Sequence, residues 1–237
     1  MAAGNQNDPA MYIATALNRQ SVPFVPYAYL PARKMHGWRV AGKRSIDVLV
    51  SVTFLTVFAL WLFPLLALAI RLQSGGPALF RQRRIGHNGQ PFDCWKFRTM
   101  YVHQEADGML CQATLNDARI TPIGTWLRRF SIDEFPQFYN VLRGDMSLVG
   151  PRPHAPGTCA AGRPFEQVAP GYVRRHCVKP GITGLAQVRG WRGETDTEEK
   201  LIRRIESDFE YIATWSLRLD LLILLRTIPA FFAADAY

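Results

Sequence analysis

Cysteine is scarce and scattered in this chain. The four thiols, Cys94, Cys111, Cys159 and Cys177, show neither C-x-x-C nor Cys/His ligand spacing. That argues against a zinc site and offers no disulfide framework, so reduced thiols in a cytosolic setting are expected. The glycine-rich phosphate loops are also missing. Neither G-x-x-x-x-G-K-[ST] nor G-x-G-x-x-G occurs, which removes the usual kinase and dinucleotide-binding readings. No helix-turn-helix, zinc-finger or RNA-recognition signature is found, and no nucleic acid is expected as a partner. Internal repeats, low-complexity tracts and a cleavable signal peptide are likewise not seen. Acidic residues are in short supply: 19 Asp+Glu stand against 28 Lys+Arg, a formal net charge of +9. Such an excess implies an anionic partner, whether nucleic acid, anionic lipid or a phosphorylated substrate, and charge alone does not choose among them.

There is one long apolar run. The 23 residues from Val48 to Ile70 carry no charge, enough for a bilayer core that needs about 20. Basic residues flank both ends, with Arg33, Lys34, Arg39, Lys43 and Arg44 before it and Arg71, Arg81, Arg83 and Arg84 after it. Positive charge on both sides fits a segment that enters and leaves the membrane by one face. Pro64 supplies a break, so a helix from Lys43 is expected to end near Phe63 and Pro64 and to return through residues 65–72. A single spanning anchor with a proline kink is the alternative.

The rest of the chain reads as α/β, helix-rich, with a small β-hairpin or sheet. Residues 73–100 hold a Gly-Gly-Pro turn, a short apolar strand and an Asn88-Gly89 turn before a second strand around Phe92 to Phe97, a hairpin pattern. "MSLVGPRP" reads as an extended loop because of its prolines, and "VKPGITGLAQVRGW" as strand and loop. Thr195 with Glu198 forms a capping box for a helix whose Leu201, Ile205, Phe209 and Ile212 make an apolar stripe, with Arg203, Arg204 and Glu206 in water. The segment "WSLRLDLLILLRTIPAFF" is apolar but carries Arg218, Asp220 and Arg226, so an interfacial amphipathic helix is expected rather than a second span.

Adjacent carboxylates at Asp133 and Glu134 stand out in "FSIDEFPQFYNVLRGDMSLVGPRP". One reading is structural: Ser131 and Glu134 match a capping box, or Asp133 itself caps a helix with Pro136 at its third position, the preferred register. The other is chemical. An ionised Asp near cations can attack phosphorus and form an aspartyl phosphate, and a helix N-terminus would favour both the carboxylate and the phosphoryl group. Basic residues beside glycine or proline recur at Lys96, Arg98, Arg119, Arg128, Arg152 and Lys179. Together they suggest a diphosphate cradle, since guanidinium groups match phosphate oxygens bidentately. Mg²⁺ is the natural metal for such a site, with Asp133 and Glu134 as its candidate ligands beside substrate phosphates.

Five stretches in order, "KRSIDVLVS", "KFRTM", "ARITPIGTWLRRFSIDEFPQFYNVLRGDMSLVGPRP", "VKPGITGLAQV" and "SDFEYIATWSLRLDL", resemble the motifs of the monotopic phosphoglycosyl transferases, the bacterial sugar transferase family. The resemblance runs from about Lys43 to the C-terminus. It implies a proline-broken re-entrant helix at 43–73, after an arm at 1–42 that is partly disordered or interfacial. A cytoplasmic-face catalytic domain with C-terminal interfacial helices follows at 74–237. It further implies transfer of a sugar 1-phosphate from a nucleotide diphosphosugar to polyprenyl phosphate at the bacterial inner membrane. Asp133 is then the nucleophile that forms a phosphosugar-enzyme intermediate with loss of UMP, Glu134 its acid/base or metal-positioning neighbour, and Mg²⁺ the cofactor. Lys96, Arg98, Arg128 and Arg152 become phosphate and nucleotide contacts, with Arg119, Lys179 and the prolines Pro151 and Pro153 completing the expected binding set. "VGPRPHA" and "GWRGETDTEEK" are similar to undecaprenyl phosphate glucose phosphotransferases, making UDP-glucose and undecaprenyl phosphate the expected substrates, membrane lipids further partners and a homodimer one expected assembly. A non-catalytic basic scaffold on anionic lipid is the rival from another class.

Overall fold

The computed structural model describes residues 37–102, 117–169 and 171–232. The expected N-terminal arm lies outside the described residues up to position 36, and the chain is already helical at Gly37. Helix α1 (Gly37–Phe58) and helix α2 (Leu62–Gln73) are bent by 62° at a short break. Among the described residues no single helix is long and apolar enough to cross a membrane, while this pair meets the length and composition requirement together. The break lies at residues 59–61, upstream of the Phe63–Pro64 position expected from sequence. Pro64 is the third residue of α2, where its missing N–H removes no helical bond. Its ring is incompatible with a helical carbonyl four residues earlier, at Leu60, so the interruption precedes the proline. Leu49, Leu60, Trp61, Leu65 and Leu72 are exposed along the pair.

The opposite face of α1 is tied to the rest of the molecule by polar groups. Asp47 accepts from Ser147 Oγ at 3.0 Å and from Leu148 N at 2.9 Å. Arg44 donates to the carbonyls of Val141 and Leu142 at 2.6 and 2.7 Å. Lys43 reaches Asp220 at 2.8 Å and the Val149 carbonyl at 2.9 Å. Phe54 stacks on Phe138, their centroids 3.9 Å apart.

Strands β1 (Leu79–Ile85) and β2 (Pro91–Phe97) form the expected antiparallel hairpin, from Leu79 opposite Phe97 to Ile85 opposite Pro91. Asn88 takes a φ of 53° in its turn, a conformation that asparagine tolerates better than most residues. Helix α3 (Pro122–Arg129) is capped by Thr121, which accepts from Gly124 N at 3.0 Å. A 3₁₀ turn at Ile132–Glu134 follows, then helix α4 (Gln137–Arg143).

The loop expected at "MSLVGPRP" contains a strand, β3 (Ser147–Val149), and the later glycine-rich segment contains β6 (Gly181–Thr183), its parallel partner. Periodicity could not show this pairing, because three residues are too few. The glycines can: a Cβ on Gly181 would lie 2.1 Å from Gly150 N, so the two backbones meet where neither has a side chain. Between them, β4 (Cys159–Ala160) pairs with β5 (Arg163–Pro164), and helix α5 (Phe165–Val168) follows.

Helix α6 (Leu185–Val188) occupies part of the segment expected to be strand and loop. Helix α7 (Glu198–Thr214) begins at Thr197, whose hydroxyl accepts from Lys200 N. The cap is therefore Thr197, while Thr195 is buried. Leu201, Ile205, Phe209 and Ile212 are buried as expected, but so is Arg204, which was expected in water. Helix α8 (Leu217–Phe232) buries Leu219 and Ile223 in the same core and leaves Leu221, Leu225 and Ile228 exposed. That core joins α4, β3, α7 and α8, while a smaller cluster of Leu66, Ile70, Ala78, Phe97 and Leu127 lies beneath α2. The described residues are helix-rich with three two-stranded sheets.

Candidate active site

Three elements converge on the two carboxylates. β2 supplies Lys96, the 3₁₀ turn supplies Asp133 and Glu134, and the segment after β3 supplies Arg152. Asn140 holds the strand against α4: its amide accepts from Trp95 N at 3.0 Å and donates to the Asp93 carbonyl at 2.7 Å. This fully buried asparagine positions the residue next to Lys96, and it carries no motif by which sequence could single it out.

Neither capping register holds. Ser131 takes a left-handed φ of 52° and caps nothing with its side chain, and α4 starts after Pro136, beyond Asp133. Pro136 cannot donate a backbone bond to the preceding turn, so the carboxylates occupy a separate 3₁₀ turn instead of the first turn of the α-helix. Their side chains point to cations. Lys96 Nζ is 2.6 Å from Glu134 Oε1 and 3.5 Å from Asp133 Oδ2. Arg152 grips Glu134 with both terminal nitrogens, Nη1 at 3.0 Å from Oε2 and Nη2 on Oε1. Glu134 is thus saturated, whereas Asp133 has Lys96 as its one hydrogen-bond partner among the described residues, at the long end of the range.

The two carboxyls diverge accordingly. For Glu134, burial favours the neutral acid, but Arg152 and Lys96 together outweigh it and hold the pKa well below the ordinary carboxylate value. For Asp133, burial and then the adjacent Glu134 charge raise the pKa, while Lys96, Arg128 and Arg152 only partly offset them. Opposite shifts in neighbouring acids assign them different tasks. Glu134 is a fixed anion that organises two cations, and Asp133 is the carboxylate with unoccupied hydrogen-bonding capacity.

The pair lies on a cleft of about 1730 Å³, larger than the 300–1,000 Å³ usual for one small ligand. One stretch of its wall is apolar, with Val50, Phe54, Phe58 and Phe138 from α1 and α4 and Leu224 and Ile228 from α8. Another is basic, with Arg119, Arg128, Arg152, Arg192 and Arg204. Arg128 is held by its Nε bond to Thr99 Oγ1 at 2.7 Å, and Arg119 is paired with Asp117.

Three of the expected contacts are placed differently. Arg98 lines the cleft, but its terminal nitrogens bind the Ser74 and Gly75 carbonyls that end α2. Lys179 is not among the lining residues; its Nζ lies near Gly144, with Arg44, Asp47 and Asp145 as its charged neighbours. Pro151 also lies off the wall, its carbonyl accepting from Gly181 N at 3.0 Å. Pro153 does line the cleft and accepts from Arg84 at 2.7 Å. Phe63, expected at the helix break, packs edge-on against Phe97 at 5.1 Å. Arg192 and Arg204 were not expected in the site. Arg192 lies within "GWRGETDTEEK", whose signal is its likeness to the family, and the spacing of α7 predicts a solvated face for Arg204.

The site thus joins a cationic wall, an unsaturated carboxylate and an apolar wall beside a bent apolar helix pair. The chain belongs to the bacterial sugar transferase family, whose model matches residues 38–234. It is 48% identical over 210 residues to UDP-glucose:undecaprenyl-phosphate glucose-1-phosphate transferase of Escherichia coli (strain K12), covering 87% of this chain and 43% of that protein. The protein of the same name from Klebsiella pneumoniae is 47% identical over 217 residues, 91% of this chain and 45% of its own length. The one from Caulobacter vibrioides (strain ATCC 19089 / CIP 103742 / CB 15) is 50% identical over 193 residues, 81% of this chain and 70% of its own. The chain therefore spans less than half the length of the first two relatives.

Proposed function

We propose that this chain is a phosphoglycosyl transferase unit that moves glucose 1-phosphate from UDP-glucose to undecaprenyl phosphate, an opening membrane step of exopolysaccharide synthesis. The observation that carries the reading is the asymmetry of the two acids: Glu134 neutralised by Lys96 and Arg152, and Asp133 buried beside it with one long contact. The names of the relatives supply the substrates. An oxygen of the Asp133 carboxylate attacks the phosphorus that bears the sugar, the bond to UMP breaks, and a phosphosugar–aspartate intermediate remains. A phosphate oxygen of undecaprenyl phosphate then attacks the same phosphorus and releases the Asp133 carboxylate. No proton is lost or gained in either exchange when all phosphates are ionised.

Lys96, Arg128 and Arg152 bind and orient the diphosphate, and their charge accommodates the leaving UMP. Of the two carboxylates, Asp133 has oxygens left to hold Mg²⁺, which binds through one or two carboxylates plus substrate phosphates, while those of Glu134 are taken by Lys96 and Arg152; among the described residues no larger group of potential ligands is assembled. When bound, Mg²⁺ supplies charge neutralisation at the phosphates. The size of the cleft suits a sugar nucleotide together with the head of a prenyl phosphate. The bent α1–α2 pair, with apolar side chains outward and basic residues on both flanks, supports re-entry into the cytoplasmic leaflet of the inner membrane, with α8 at the interface.

The test is to incubate detergent-solubilised protein with Mg²⁺ and UDP-glucose without lipid acceptor, and to look for a hexose-phosphate adduct on Asp133 by intact-protein mass spectrometry. Adduct formation, followed by its loss when undecaprenyl phosphate is added, is the expected result. Failure to form an adduct or release UMP with any UDP-sugar would refute the reading.

A further inference from the structure

The cleft carries a second group of donors that attack at Asp133 does not use. His154 is buried and lines the cleft. Its Nδ1 lies 2.9 Å from Tyr172 Oη and 3.4 Å from Arg175 Nη1. A guanidinium can only donate, so Nδ1 accepts and the ring proton sits on Nε2. Burial, then the charges of Arg175 and Arg204, hold the ring pKa well below its ordinary value, so the imidazole is neutral at physiological pH. Its Nε2–H has no partner among the described residues, a costly state for a buried donor.

The ring is fixed in this state from behind. Arg175 is fully buried, pairs with Asp208 at 2.7 Å and donates to the Arg152 carbonyl at 2.6 Å. It thereby couples the orientation of His154 to the backbone of the residue that grips Glu134. Arg204, the buried arginine of α7, donates from Nε to the Trp191 carbonyl at 3.2 Å and from Nη2 to the Gly193 carbonyl at 3.1 Å. Its Nη1 has no hydrogen-bond partner among the described residues. Two immobilised donors therefore line one region of the cleft, with Thr158, Glu194 and Thr195 also in the wall.

Alternating donors and acceptors of this kind match a polyhydroxylated ring. A nucleobase needs an aromatic face, and the cleft offers those elsewhere: Trp126 and Tyr101 are half exposed, whereas Phe165 beside His154 is buried edge-on against the imidazole. We infer that His154 and Arg204 form the subsite for hydroxyl oxygens of the transferred sugar, and that His154 Nε2–H is a specificity-determining contact. This rests on the proposed transfer reaction.

The experiment pairs His154→Leu and His154→Gln with UDP-glucose and its singly deoxygenated analogues, reading UMP release and inhibition by UMP. The wild type is expected to discriminate against one deoxy sugar, and His154→Leu to raise the KM for UDP-glucose roughly tenfold, the weakening expected for one lost hydrogen bond. The variant would also lose discrimination against that single analogue, with UMP inhibition unchanged and partial recovery in His154→Gln, which keeps a donor. Equal weakening for UDP-glucose and UMP would place the contact on the nucleoside and overturn the inference, as would unchanged discrimination in His154→Leu. A wild type that neither binds UDP-glucose by calorimetry nor releases UMP would instead overturn the transfer reaction itself, and the sugar subsite with it.

Discussion

Two lysine–carboxylate clusters in this molecule are built alike but paired differently. In the first, Asp220 of α8 accepts from Tyr211 Oη at 2.7 Å, from Lys43 at 2.8 Å and from Trp215 Nε1 at 3.0 Å. Lys43 in turn donates to the Val149 carbonyl. Every oxygen and every donor is occupied, and the cluster joins α1, β3, α7 and α8. In the second, Glu134 is equally well supplied by Lys96 and Arg152, but Asp133 is left with one contact at 3.5 Å. Both aspartates are buried and both have raised pKa values, burial being the largest cause in each. What separates them is pairing. A saturated carboxylate fixes structure; an unsaturated one, kept next to a saturated twin, is available to react.

The same Asp→Asn substitution should therefore give opposite outcomes at the two sites. Asp133→Asn is expected to reduce UMP release by roughly 10⁴-fold or more, the scale of losing a nucleophile. Thermal unfolding of this variant should stay at or above the wild-type midpoint, because Lys96 keeps Glu134 and a desolvated charge beside another carboxylate is removed. Retained turnover in Asp133→Asn would remove the distinction between the clusters.

Asp220→Asn leaves Lys43 buried without its counter-ion, which costs about 3–5 kcal/mol. The unfolding midpoint should fall by several degrees, while the UMP release of the protein still folded stays near wild type. A drop in turnover larger than the loss of folded protein would mean that the Lys43 cluster also positions the site.

The two acids at the site also predict a separation in pH. The Glu134 pKa is depressed, so its ion pairs contribute stability that is present above the unfolded carboxylate pKa and is lost only as pH falls through the lower folded value. The Asp133 pKa is raised, and attack requires the ionised form, so turnover should fail first, at a pH above the ordinary Asp value. Between the two lies a window in which the protein is folded and inactive. A pH–rate profile of UMP release beside a circular-dichroism titration measures it; coincident transitions would show that the acids titrate together.

How far the sequence reveals these sites depends on whether a contact is local. The β1–β2 hairpin was legible from Asn88-Gly89, and the buried stripe of α7 from its spacing, because both signals lie within a few residues. The acidic pair was visible as a motif, but its surroundings were read as a helix cap. The difference arises from Pro136, which ends one turn and begins the next instead of sitting inside a single helix. Arg204 was read as wet because it is charged, yet it buries itself on carbonyls 11 and 13 residues away. Lys43 and Asp220 are 177 positions apart, beyond any periodicity. His154 gave no signal of its own: its state is set by Arg175 and Tyr172, and theirs by the fold.

Lys179 provides the smallest test and a useful one, since it has the same local signature as Arg152, a cation beside proline and glycine in a loop. Chemistry at the phosphates requires a charge within reach, and Lys179 faces Gly144 and Arg44 while Arg152 grips Glu134. Lys179→Ala is accordingly expected to leave the KM for UDP-glucose within about twofold, the range of a substitution away from a site. Arg152→Ala should raise the KM and lower kcat together, because it also releases Glu134. A change in Lys179→Ala comparable with that in Arg152→Ala would mean that the two cations share a phosphate despite their separate positions; otherwise the glycine–proline context marks loop geometry alone, and the partner carboxylate decides which cation serves the reaction.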